Sequence, residues 1–143
     1  MLAIACIFSL LSCFGEVAGE GGATVVIEDI DGYDVYTVDL SKINAEDRGA
    51  LAILEYLSEN EGMSLDYVDS TYGGYVNAIG SLAPSAAANE YVAIYTSEEA
   101  DFGVAPFDTK AEYDGMTLTA SGVGISSMTV RDGTVILFRI ESY

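Results

Sequence analysis

The side chains with most to offer chemically are ten tyrosines and 23 carboxylates in a chain of 143 residues, because the usual catalytic groups are missing. There is no histidine, and both cysteines, Cys6 and Cys13, fall near the start. Residues 14–143 therefore carry no thiol nucleophile, no imidazole base, no disulfide and no Cys/His zinc site. A carboxylate pair could still work as acid and base, but no spacing among the acids singles one out. The expectation is a protein that binds rather than an enzyme, with no catalytic residue. Tyrosine fits binding, since it pairs an apolar ring with a polar tip. The run Glu28-Asp29-Ile30-Asp31-Gly32-Tyr33-Asp34 holds a fragment of a calcium loop but lacks the central glycine and distal glutamate of a full EF-hand frame. No metal site is expected there, and Glu98, Glu99 and Asp101 are expected to form a solvated acidic loop.

The chemistry of Cys13 belongs to a different part of the chain. Residues 1–14 carry no charge. They are too few to span a bilayer, which takes roughly 20 residues, yet they fit the apolar core of a secretory signal, about 7–15 residues long. Leu10-Leu11-Ser12-Cys13 resembles a bacterial lipobox, in which a small residue precedes a cysteine that is acylated and becomes the new N-terminus. A positive n-region is missing and Leu11 is bulkier than usual there, so an ordinary cleaved signal or a buried apolar strand also fits. The expectation is a signal peptide at residues 1–13 with lipidation at Cys13, then a flexible tether at 14–22. The protein would be extracytoplasmic, either anchored or secreted.

Residues 23–143 suffice for one domain with its own core. The net charge is −18 with only five Lys and Arg, which excludes nucleic-acid partners, whose phosphates need cations. The apolar content is too high for disorder.

The elements that would position the tyrosines follow from pattern. Residues 23–40 predict a hairpin, with Asp31-Gly32 as a type I′ turn and Tyr36, Val38 and Leu40 on one face. Asn44 is placed to cap a helix, with Asp47 three residues on. Ala50, Leu51, Leu54 and Leu57 form its apolar stripe, and Gly62 its left-handed cap. Short strands are predicted at 63–68, 75–79 and 91–95, a hairpin about Asp114-Gly115, and a closing strand at 134–140 with Ile136, Phe138 and Ile140 alternating. The expected class is α+β, a β-grasp-like mixed sheet with one packed amphipathic helix.

Three segments carry a resemblance. Tyr72-Gly73-Gly74-Tyr75-Val76-Asn77-Ala78-Ile79-Gly80-Ser81-Leu82 resembles the glycine turn and following strand of the transcobalamin-like C-terminal domain family. Asn89-Glu90-Tyr91-Val92-Ala93-Ile94-Tyr95 is similar to its aromatic strand, with tyrosine where tryptophan is usual. Ser121-Gly122-Val123-Gly124, with Asp132-Gly133 before the last strand, is similar to its closing pattern. The loops around Ser85 and Asp108 are longer than in the family. In the vitamin B12 carriers of this family the domain closes over one side of cobalamin, opposite a helical barrel that this chain lacks. Bacterial members with the domain alone have no assigned role.

The resemblance implies binding of a corrinoid-like small molecule, with Tyr72, Tyr75, Asn77, Tyr91, Tyr95, Ser121 and Gly122 as ligand-binding residues and no required cofactor. A protein-interaction or adhesion module at the cell surface is the alternative. Each tyrosine taken singly reads first as a strand residue half-covered by the loops, and the ligand platform is expected of the group. The partner is then a small molecule or a surface protein, with the membrane reached through the lipid alone.

Overall fold

The structure is a computed structural model that describes residues 21–71 and 73–143. The signal-like segment, Cys13 and most of the tether lie outside the described residues, as does Tyr72.

Strands β1 (Gly22–Asp29) and β2 (Gly32–Asp39) form the first hairpin. A short α1 (Ala45–Arg48) and the main α2 (Ala50–Glu61) follow. Next come the hairpin β3 (Leu65–Ser70) and β4 (Gly73–Ile79), then β5 (Glu90–Thr96), the hairpin β6 (Lys110–Tyr113) and β7 (Met116–Ala120), and β8 (Val135–Ser142). Six strands make one mixed sheet in the order β2-β1-β8-β5-β7-β6, and β3-β4 form a separate ribbon. β1 and β8 run parallel at its centre, and the other pairings are antiparallel. The Tyr33 and Tyr113 rings, on the two edge strands, meet edge-on with centroids 5.2 Å apart. The sheet is therefore curled into a half-barrel, and the fold is the expected α+β type.

Each face of the sheet carries a core. On one, Val25, Ile27, Ile136 and Phe138 pack against Ile53, Leu54 and Leu57 of α2 and Val76 and Ile79 of β4. On the concave face, Val26, Ala93, Tyr95, Leu118 and Leu137 pack on one another. The first half of β8 reads as an unbroken apolar run for this reason: Val135, Ile136, Leu137 and Phe138 are all buried. Alternation alone assigned only Ile136, Phe138 and Ile140 to an interior.

Helix formation agrees with the stripe and with the left-handed Gly62 cap at φ +70°, but the start differs. Gly49 divides the predicted helix into α1 and α2 with φ +55° and ψ −139°. A side chain there would bring Cβ within 2.6 Å of the Met128 carbonyl oxygen, so the backbone must pass bare. Asn44 precedes α1 and its amide donates to Asp47 Oδ2 at 3.1 Å rather than accepting from a helix N–H.

Two further expectations are corrected. Asp29 pairs with Gly32, so the first hairpin turns on Ile30 and Asp31, one residue earlier than predicted. The turn is not type I′, which needs positive φ at both central residues; neither has it. Instead, Asp29 accepts the Asp31 N–H at 2.8 Å and the Ser81 hydroxyl at 2.6 Å. Asp114-Gly115, with φ +50° and +76°, does form the predicted loop. The acids of residues 98–101 are not all solvated, since Glu98 and Asp101 are buried. Thr134 Oγ1 donates to Glu98 at 2.6 Å, Arg131 Nε lies 2.9 Å from its other oxygen, and Asp101 accepts the Thr129 N–H at 2.6 Å. Thus the buried acids hold residues 129–134, the approach to β8.

Candidate functional site

β5 is hydrogen-bonded along its whole length on one edge and only partly on the other. Seven residues pair with β8, while only Tyr95 and Thr96 pair with β7. Beyond that point residues 121–124 turn away. The Ser121 N–H still reaches the Ile94 carbonyl at 2.9 Å, which fixes the direction of the strand's alternate groups. Ile94 and Val92 therefore point their backbone away from β8. Among the described residues, the Val92 N–H and C=O and the Ile94 N–H have no protein partner on that side.

A cleft of about 550 Å³ lies against this open edge. Val92, Ile94 and the faces of Tyr91 and Tyr95 come from β5, and Tyr75 and Val76 from β4. Residues 121–124 close one end, and Pro106, Phe107 and Thr109 rise from the loop before β6. Apolar and aromatic walls around a few backbone polar groups are the usual composition of a small-molecule site, and its size lies in that range.

The predicted residues fare differently. Tyr75, 50 % exposed, and the half-buried Tyr91 stand at the wall, with the Tyr91 ring 6.0 Å from that of Tyr143. Tyr95 is only 1 % exposed and forms floor rather than open surface. Its hydroxyl donates to Glu141, accepts from Arg139 Nη2 at 3.1 Å and lies 3.5 Å from Thr109 Oγ1. The Arg139 guanidinium sits 4.6 Å above the ring centre and bonds Glu141 Oε2 at 2.7 Å. Burial, and then the Glu141 carboxylate, push the Tyr95 hydroxyl above its ordinary pKa; the same two causes raise Tyr91. Both phenols are neutral at physiological pH. Burial disfavours the Arg139 charge, but the bond to Glu141 and the Tyr95 contact outweigh it, so its pKa is raised.

Ser121 and Gly122 line the cleft. The Ser121 hydroxyl is turned onto its own loop, donating to the Val123 carbonyl at 2.8 Å, so it shapes the end wall. Gly122 lets two chain segments touch: a Cβ there would stand 3.1 Å from the Gly103 Cα. Asn77 does not line the cleft.

Sequence reasoning missed Phe107, 73 % exposed at the rim, and the bare edge of β5. The long loop around Asp108 was the available signal for the first. Nothing local signals the second, because it depends on where β7 stops pairing. Among the described residues no group of three or more His, Cys, Asp or Glu side chains is placed to hold a metal ion. The cleft can enclose and hydrogen-bond an apolar molecule with polar edges.

No family model matches the chain, and no curated protein matches it. Solved structures do. A candidate metal-binding protein from Ruminococcus gnavus aligns with TM-score 0.55 at 14 % identity, over 87 % of this chain and 99 % of that one. Haptocorrin, solved in complex with Cbi, aligns with TM-score 0.55 at 13 % identity, over 90 % of this chain. The chain spans 26 % of the haptocorrin length. At these identities the likeness shows a shared, transcobalamin-like fold.

Proposed function

We propose that this chain is an exported binding module, tethered through an acylated Cys13, that captures a flat apolar molecule with a polar fringe in the cleft beside β5. A corrinoid is the candidate ligand, because the structural neighbour haptocorrin was solved with Cbi (cobinamide). The observation that carries the proposal is the gathering of Tyr75, Tyr91, the open Val92 N–H and C=O and the open Ile94 N–H around one apolar cleft. Aromatic contact supplies affinity there, and the strand edge gives direction by hydrogen bonding. The role is holding rather than transforming, since residues 14–143 have no imidazole or thiol. One domain covers one ligand face, so weak binding is expected unless a partner covers the other.

Titration of the isolated protein with cobinamide and cobalamin, followed by visible absorbance and calorimetry, tests the ligand. Heat and a spectral shift below millimolar concentration are expected; neither at near-millimolar ligand removes the corrinoid. Mass spectrometry of the native N-terminus tests the anchor, with an acylated Cys13 expected. A free N-terminus further along would remove the anchor.

A further inference from the structure

The two edges of the curled sheet are formed by β2 and β6, and β2 offers the longer free ladder. The Leu40 N–H bonds to the Gly21 carbonyl, which fixes the even-numbered residues of β2 as those bonded to β1. Tyr33, Val35 and Thr37 therefore point their N–H and C=O groups outward, with no partner among the described residues. Their side chains share the concave face, and Tyr33 and Val35 are 51 % and 49 % exposed. Natural sheets usually blunt such an edge with lysine, proline or a bulge. β2 has none of these: its sequence is GYDVYTVD, and its register with β1 is unbroken.

Charge identifies what can approach. Residues 28–39 hold Glu28, Asp29, Asp31, Asp34 and Asp39, and no Lys or Arg. A second copy would bring the same acids against themselves, so they suppress self-pairing while leaving the ladder open. We propose that the outer edge of β2 receives an extended, cationic segment of a partner protein as an added strand. Its backbone pairs with Tyr33, Val35 and Thr37, its apolar side chains meet Tyr33 and Val35, and its lysines or arginines face the acids. This surface is separate from the cleft and needs no corrinoid.

The probe is a blocked seven-residue peptide alternating lysine and valine, added to the isotope-labelled isolated protein. Amide exchange at Tyr33, Val35 and Thr37 should slow about tenfold, as one net hydrogen bond each would give. The variant Val35→Lys, at a half-exposed position, should keep the fold and lose the protection. Protection that survives V35K, equal effects from a proline-interrupted peptide, or response only in the cleft would each overturn the proposal. Protection that rises with protein concentration alone would overturn it in favour of self-association.

Discussion

The open edge of β5 and the outer edge of β2 are both places where a hydrogen-bonded ladder stops, yet they have opposite surroundings. β5 is central in the sheet, and its bare stretch is enclosed by β4, by residues 121–124 and by the loop carrying Phe107. β2 is terminal in the sheet, and carboxylates gather along it beside the Tyr33–Tyr113 ring pair. An unpaired edge becomes a small-molecule cleft only where loops supply walls. Left unwalled, it offers the same backbone groups to another chain. The two regions share β8 as their support: it pairs with β5 on one side and with β1, the partner of β2, on the other.

The largest effect should come from breaking that shared support. Phe138 is fully buried in β8 against the helix, and Phe138→Ala should cost roughly 3–5 kcal/mol in denaturant unfolding. Cleft and β2 edge should fail in a single transition; two separate transitions would show that they are not one unit. Next in size, Tyr75→Ala and Tyr91→Ala should each weaken cobinamide binding by about tenfold, while amide exchange along β2 stays unchanged. Asn77→Ala should leave binding as it is, because Asn77 stands outside the cleft.

Smaller effects separate the regions by pH. Tyr91 and Tyr95 have raised pKa values when folded, so their contribution is whole below the unfolded tyrosine value, about pH 10. It is lost as pH rises through the folded values. An ultraviolet titration should show the Tyr95 phenol ionising above the free-tyrosine value, and Arg139→Gln should move it further up by removing the cation beside it. At the hairpin the sign reverses. Asp29 is lowered by the Ser81 hydroxyl and then the Asp31 N–H, and Asp39 by the Ser41 hydroxyl and then its N–H. Their contribution is whole above about pH 4 and fades as pH falls through the folded values. In acid, Asp29→Asn should therefore flatten the stability curve slightly, while the cleft tyrosines stay silent.

Much of the fold was legible because it rests on local pattern. The strand positions of β1 and β8, the stripe Leu51-Leu54-Leu57, the Gly62 cap and the Asp114-Gly115 loop all match the structure. What failed depends on distant contacts. Gly49 breaks the helix because residues 125–128 press on it. The first turn is displaced because Ser81 and the Asp31 N–H capture Asp29. Glu98 and Asp101 are buried because Thr134 and Thr129 lie above them. For the cleft, the sequence motifs led to Tyr75 and Tyr91 but treated Tyr95 as an open ring, although Arg139 and Glu141 hold it down.

The most direct measurement is an amide chemical-shift map of the isolated protein during cobinamide titration. The Val92 and Ile94 N–H signals should move most, together with Tyr75 and Tyr91, while Tyr33, Val35 and Thr37 stay still. Saturable binding that leaves Val92 and Ile94 unmoved would contradict the assignment of the β5 edge as the ligand site.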